Sequence, residues 1–396
     1  DNQAGMNMKS MNPYFQTQSA ENIFTAQTAV AQKHGSINLG QGFPENDGPD
    51  WLKKVAADHL MQNGTNQYCP PAGLQELRQA IAETDESFYD LNTNPEKNIL
   101  VTAGATEALN ISLRTLLQPG DEIILFSPYY NFYDGLISTT GAKARNVQLS
   151  PPDWQFDPED LEAAIGPNTK ALLLNTPSNP TGKIFTRDEL ALIADLVSKH
   201  DLTVISDEVY EFLTTPDDPH IPISTLPGMK DRTIRISSAG KTFSLTGWRL
   251  GYLSAPDHIM PALLQAHTLT SFCLSSAFQK AVTAGLNDTD FLQSLGPEFA
   301  NKAKILTKGL DEAGFSPLPF SGGYFVIADF SGFDFDGNDR DFCYHLTKQA
   351  GVTPLPLSAF YAKDDQDAPS HLLRFCIAKE NDTLHKAAEK LIDFAP

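Results

Sequence analysis

Cysteine is scarce in this 396-residue chain: there are four, Cys69, Cys273, Cys343 and Cys376. None forms a C-x-x-C pair and they make no metal-like cluster. A disulfide framework, a zinc ribbon and a paired-cysteine redox motif are therefore not expected, and the thiols suit a reducing cytoplasm. Positive charge is also short. Lys and Arg total 29 against 49 Asp and Glu, a formal net charge of -20. So acidic a surface repels nucleic acid and anionic membranes, and neither is an expected partner. No apolar run approaches the length of a membrane span. The first ten residues are polar, lack the apolar core of a signal peptide and are set aside from the fold. Internal repeats and low-complexity tracts are absent.

What is there is the composition of a globular protein, 41% hydrophobic and 20% charged. The length predicts two domains. Short β-branched runs alternate with amphipathic segments, and strands are expected at 98–103, 122–127, 143–149, 170–175, 202–206, 233–237 and 250–254. Helical periodicity falls between them at 107–117, 187–199 and 258–266. Asp157-Pro158-Glu159-Asp160 marks a further helix start. This is an α/β pattern, a mostly parallel central sheet covered by helices. Beyond about residue 285 it changes to a long helix (291–313), a strand at 372–378 and a final helix (383–394), a smaller α+β unit. The expected division is 1–49, a segment without strong period packing on the small domain; 50–285, the large domain; and 286–396, the small one. Pro- and Asp-rich stretches at 216–227 and 362–369 read as surface loops.

Four segments carry candidate chemistry. A strand runs into Gly104-Ala105-Thr106 and a helix starts at once, so free N–H groups sit where a phosphate can approach. Asp207 closes a sheet strand, where α/β proteins place ligands. A carboxylate there suits a protonated ring nitrogen, and equally a helix cap or structural salt bridge. Lys241, 34 residues later, sits among small residues after the next strand, placed to form a Schiff base with an aldehyde. Gly240-Lys241-Thr242 imitates the end of a nucleotide-binding loop, but that loop needs a glycine where Arg235 stands. Ser238 and Arg249 flank the lysine and offer a hydroxyl and a guanidinium to a phosphate. Arg374 is the odd charge in an apolar strand. It needs an anion, either a substrate carboxylate or an internal Asp or Glu.

These stretches, with Ile37–Pro44, Asn66-Gln67-Tyr68 and Asn175–Gly182, stand in the order and spacing of a known family. From about Ile37 onward the chain resembles the class I pyridoxal-phosphate-dependent aminotransferases of fold type I. Within them it looks most like the bacterial methionine aminotransferases and the kynurenine and glutamine aminotransferases. The resemblance implies pyridoxal 5'-phosphate carried on Lys241, which then serves as general acid/base, with Asp207 on the ring nitrogen. It implies Asn179 and Tyr210 at the ring hydroxyl and Tyr130 on the ring face. Gly104, Ala105, Thr106, Ser238 and Arg249 would hold the phosphate, joined by Tyr68 from a partner subunit, hence a homodimer with shared sites. Arg374 would take the substrate carboxylate with Asn179 and the backbone of Gly42. Tyr14, Phe15, Phe24, Phe43 and Phe272 are candidates for an apolar side-chain pocket, Phe272 from the neighbour. The implied reaction is transamination between a neutral L-amino acid and a 2-oxo acid, ping-pong through pyridoxamine phosphate, in the cytoplasm and without a metal. A β-lyase acting on cysteine conjugates or cystathionine would need the same lysine, aspartate and phosphate site. A non-catalytic ligand sensor would need a DNA-binding module, for which no helix-turn-helix pattern or basic stretch is present.

Overall fold

The computed structural model describes residues 23–363 and 365–394. Its strands, numbered in chain order, are β1 (Ile37–Asn38), β2 (Ile99–Thr102), β3 (Glu122–Ser127), β4 (Lys143–Gln148), β5 (Thr169–Asn175), β6 (Thr203–Asp207), β7 (Thr233–Ser237), β8 (Gly251–Ser254), β9 (Ser316–Pro317), β10 (Phe325–Asp329), β11 (Val352–Thr353), β12 (Leu355–Pro356) and β13 (Leu372–Cys376).

Successive side chains of a strand point to opposite faces, so a strand apolar at every position must be covered on both. On β3, Ile123 and Leu125 join the core on one face, Ile124 and Phe126 the core on the other. β5 repeats this with Ala171 and Leu173 against Leu172 and Leu174. Helix Gly104–Leu116 covers the first face through Ala108, Leu109, Ile111 and Leu113. Helix Arg187–Lys199 covers the second through Leu190, Ile193, Ala194 and Val197. Each fully buried Leu or Ile contributes roughly 2 kcal/mol. The second helix is started by a reciprocal cap: Glu189 N donates to Thr186 Oγ1 at 3.2 Å, and Thr186 N donates to Glu189 Oε2 at 2.8 Å. The start read at Asp157 is also capped, Glu159 N donating to Asp157 Oδ1 at 2.8 Å.

The seven-stranded sheet has the order β2-β8-β7-β6-β5-β3-β4. Its neighbours are parallel except at β8, which runs antiparallel to both β2 and β7. A second, antiparallel sheet has the order β12-β13-β10-β9, with Ile327 opposite Arg374 in the β10–β13 register. Helices Thr289–Glu312, Asp339–Gln349 and Asn381–Phe394 supply its apolar cover. β1 pairs in parallel with β11, which ties residues 37–38 to 352–353.

The expected strands lie within a residue or two of those observed. The segment before residue 49, expected without strong period, holds a helix, Ile23–His34, of which only Ala31 is buried. One expectation is corrected. The stretch 216–227 is not wholly surface: His220, Ile223 and Ser224 are buried. A charged network beneath the sheet's edge draws His220 inward.

Candidate active site

The sheet order brings five strand ends to one edge. β5 ends at Asn175, β6 at Asp207, and β7 at Ser237, just before Ser238 and Lys241. Because β8 is reversed, its beginning, preceded by Arg249, lies at that same edge, beside the end of β2 and Gly104. These ends open into a cleft of about 410 Å³, whose other wall includes Gln41, Gly42, Phe43 and Arg374. Size does not single it out. A cleft of about 420 Å³ lined by Trp154, Phe156, Lys183 and Glu189 lies elsewhere. The convergence of charged groups does.

Lys241 lies in the short helix Ala239–Thr242, whose cap Ser238 accepts from Lys241 N at 3.3 Å. Its Nζ donates to the carbonyl of Gly42 at 3.0 Å and faces the rings of Tyr324 and Tyr210 at 5.3 and 5.9 Å. Burial lowers its pKa to about 8; Cys376 and Asp207 oppose this, and Arg374 and Arg249 add to it. A substantial fraction of the amine is therefore neutral near pH 8.

Asp207 is buried and has no cation within ion-pair distance among the described residues. Tyr133 OH donates to its Oδ2 at 2.5 Å and Val209 N to its Oδ1 at 3.4 Å. Burial raises its pKa to about 6, against the Tyr133 hydrogen bond.

Arg374 has 0% exposure, yet no carboxylate accompanies it among the described residues. Its Nη1 donates to Asn179 Oδ1 at 2.8 Å and its Nη2 to Gly40 O at 2.7 Å, while Nε has no partner among the described residues. The guanidinium lies 3.9 Å from the Phe325 ring centre and 4.5 Å from that of Phe360. The internal ion pair left open by the sequence is not formed among the described residues. The backbone acceptor of Arg374 is the Gly40 carbonyl, and the Gly42 carbonyl accepts from Lys241 Nζ.

At the other end, Arg249 Nη2 donates to Thr106 Oγ1 at 3.4 Å. Gly104 has φ +72, which strains any other residue, and a Cβ there would displace Arg249 Nη2, 2.8 Å away. Helix Gly104–Leu116 begins with no side-chain cap, which leaves its first N–H groups to a ligand. Ala105, Thr106, Tyr130, Asn179, Tyr210 and Ser238 all line the cleft. Phe24 lines it too, and Phe43 stands at 49% exposure on its rim. Tyr68 and Phe272 do not line it. They form an edge-to-face pair on the outside, 5.1 Å between ring centres, with Tyr68 84% exposed. Tyr14 and Phe15 lie outside the described residues.

Sequence reasoning missed Thr25, Gln41, Leu109, Phe132, Val209 and above all Tyr133. The last had a signal: it falls three residues after Tyr130 in the aromatic run that follows β3. Also missed was the network behind Asp207. Buried Arg235 pairs with Asp85 and Glu208 at 2.5 Å each and with Glu211, and His220 Nε2 lies 2.7 Å from Glu208 Oε2.

The donor set fits pyridoxal phosphate. A buried carboxylate without a cation suits a protonated pyridine nitrogen, the glycine turn with Arg249 suits a phosphate, and the lysine suits an aldehyde. The family described as "Aminotransferase class I and II" matches residues 34–391. A methionine aminotransferase of Escherichia coli (strain K12) is 37% identical over 370 residues, 93% of this chain and 95% of that protein. Kynurenine–oxoglutarate transaminase 3 of Homo sapiens is 35% identical over 397 residues, 94% of this chain and 87% of that one. The crystal structure of YbdL from Escherichia coli, reported with a methionine aminotransferase function, superposes with a TM-score of 0.92 at 36% identity, covering 95% of this chain and 98% of that one. The chain belongs to the class I and II aminotransferase family: it is a pyridoxal-phosphate-dependent enzyme of fold type I that transfers an amino group between an amino acid and a 2-oxo acid.

Proposed function

We propose that the substrate is a neutral L-amino acid of methionine, aromatic, glutamine or kynurenine type. One observation carries this reading. The cleft's cations among the described residues are Lys241, Arg249 and Arg374; its apolar wall is Phe24, Phe43, Leu109, Phe132 and Val209, beside uncharged polar residues such as Gln41, Thr106, Asn175 and Asn179. With Arg374 given to the α-carboxylate, a second carboxylate on the side chain would find no cation. The relatives named for methionine and kynurenine support the same choice.

In this reading the chain's residues divide the work. Asp207 holds the ring nitrogen, and Asn179 and Tyr210 hold the ring hydroxyl. Tyr130 covers the ring face. Gly104, Ala105, Thr106, Ser238 and Arg249 hold the phosphate. Bound there, pyridoxal phosphate supplies an electron sink. Arg374, steadied by Asn179 and close to the rings of Phe325 and Phe360, orients the substrate through its α-carboxylate, beside the backbone of Gly42. Lys241 Nζ takes the α-proton and returns it, which a pKa near 8 permits at neutral to mildly alkaline pH.

Residues 50–285 are read as the large domain and 286–396 as the small one, with the segment before residue 50 laid on the latter through the β1–β11 pairing. The exposed Tyr68–Phe272 pair, with Met61 and Leu269 also exposed, supports a homodimer in which these aromatics serve the neighbour's cleft. The four cysteines are all free, which suits the cytoplasm. No helix among the described residues is long and apolar enough to cross a membrane.

The test is the visible spectrum of the purified, cofactor-loaded protein titrated with amino acids. Methionine, phenylalanine, glutamine or kynurenine is expected to convert the band to that of the amine form, and aspartate is not. Conversion by aspartate alone would overturn the substrate reading. Pyruvate released from a β-substituted amino acid without any 2-oxo acid would mark a lyase instead.

A further inference from the structure

We propose that Tyr133 is a positioning residue that presents the Asp207 carboxylate to the ring nitrogen of the cofactor. The inference rests on the reading of Asp207 given above.

Tyr133 and Asp207 come from different elements. Tyr133 lies in the first turn of helix Phe132–Thr139, and Asp207 ends β6. Their side chains meet at 2.5 Å, the shortest contact Asp207 makes. Tyr133 is 1% exposed and Asp207 4%, so water does not compete for the bond. Both line the cleft.

The groups around Asp207 give the bond its weight. Glu208, the next residue, is a like charge and disfavours the ionised form. Tyr130 and Tyr210 bring hydroxyls to the same cleft but make no hydrogen bond to Asp207. Lys241, from the 238–250 connection, attracts the carboxylate only from beyond ion-pair distance. Burial works against ionisation throughout, and Tyr133 is the strongest influence opposing it. The phenol does not surrender its own proton: burial first, then the Asp207 charge, holds its pKa far above the usual tyrosine value. It is a donor at every working pH. A neutral carboxylic acid cannot hold a pyridinium charge, so a residue that favours the carboxylate acts on the ring through it.

The experiment is a double-mutant cycle on the dissociation constant of pyridoxal phosphate, using full-length wild type, Tyr133→Phe, Asp207→Asn and the double variant. Tyr133→Phe keeps the ring packing and removes only the hydroxyl. It is expected to weaken cofactor binding roughly ten- to a hundredfold, the range of a hydrogen bond to a charged group. In the Asp207→Asn background the same change is expected to shift the constant by less than about twofold, because the bond now joins two neutral groups. An equal loss in both backgrounds means that Tyr133 acts by packing, and overturns the proposal. No loss in the wild-type background overturns it too. If Asp207→Asn alone leaves cofactor affinity unchanged, the assignment of Asp207 falls and the proposal with it.

Site-specific 3-fluorotyrosine at position 133 guards against a folding defect. It has nearly the same shape and a more acidic hydroxyl, hence a stronger donor. It is expected to move the pH midpoint of the Asp207 carboxyl, followed by carbon-13 NMR in the apoprotein, downward; Tyr133→Phe is expected to move it upward. A midpoint indifferent to both changes overturns the proposal.

Discussion

Arg374 and Asn179 join the two walls of the cleft: Arg374 Nη1, from β13 of the small sheet, donates at 2.8 Å to Asn179 Oδ1, on the loop that follows β5 of the large sheet. Among the described residues Nε has no partner and no carboxylate stands beside the guanidinium. A fully buried arginine in that setting is set up for an anionic ligand.

Arg374→Ala is therefore expected to lower kcat/KM for both amino acid and 2-oxo acid by roughly a hundredfold or more, the cost of truncating one partner of a buried charged contact. Arg374→Lys is expected to recover little, because a lysine cannot offer the planar fork. Cofactor affinity should stay within about threefold of wild type. Steady-state kinetics beside equilibrium dialysis separate the two effects. A variant that loses the cofactor as well as the substrate would contradict the assignment.

Lys241 sets the pH at which the apoprotein takes up its cofactor. Only the neutral amine attacks an aldehyde, and burial has brought its pKa down to about 8 from 10.5. The uptake rate is expected to rise through about pH 8 and level off above it. A rate still climbing at pH 10 would mean an ordinary, solvated lysine. Lys241→Ala is expected to abolish transamination in the same protein while the phosphate site remains.

Asp207 should make the apoprotein less stable. Its folded pKa of about 6 stands above the ordinary 3.8. A raised carboxyl favours the folded state most below pH 3.8, and that contribution is lost as pH rises through 6. The separation corresponds to about 3 kcal/mol at pH 8. Asp207→Asn is expected to raise the apoprotein's Tm at pH 8, to leave it nearly unchanged at pH 4, and to weaken cofactor binding. An unaltered Tm at pH 8 would show that the buried charge is fully compensated.

Arg235 is expected to be the most sensitive buried charge outside the cleft. It holds Asp85, Glu208 and Glu211 together, and despite burial Arg235 and His220 keep Glu208 at about 2. Glu208 thus adds stability that is present above 4.5 and lost as pH falls through about 2. Arg235→Met would strand three carboxylates and is expected to cost roughly 3–5 kcal/mol by denaturant unfolding. The loss should be larger at pH 8 than at pH 5, where the stranded carboxylates can take up protons.

Legibility from sequence followed the range of the interactions. The central strands β3 and β5 carry nearly continuous apolar runs, Ile123–Phe126 and Ala171–Leu174, and such runs announce themselves. The Asp157 cap lies two residues from its partner Glu159 and was equally plain. Gly104, Asp207, Lys241 and Arg249 were singled out because each sits at or beside a strand end with a chemical reason to be there. Tyr133 and Asp207 are 74 residues apart, and Arg235 and Asp85 are 150 apart. Nothing in the local pattern joins such pairs; only the strand order does. His220 was misplaced for the same reason. Its partner Glu208 is near in sequence, but the pull inward depends on Arg235 from β7.

The reversed direction of β8 has a consequence for how this enzyme can be rebuilt. Lys241 and Arg249 share one short connection, from β7 back along its own neighbour, with no intervening crossover helix. Strand β8 then presses on the glycine turn so closely that a Cβ at Gly251 would lie 2.8 Å from Ala105 N. The amine and the phosphate grip are thus one inherited part. New termini or an inserted domain placed between residues 242 and 250 would uncouple them, whereas the exposed turn around Gly120, just before β3, where a Cβ would meet nothing within 4 Å, leaves both in register.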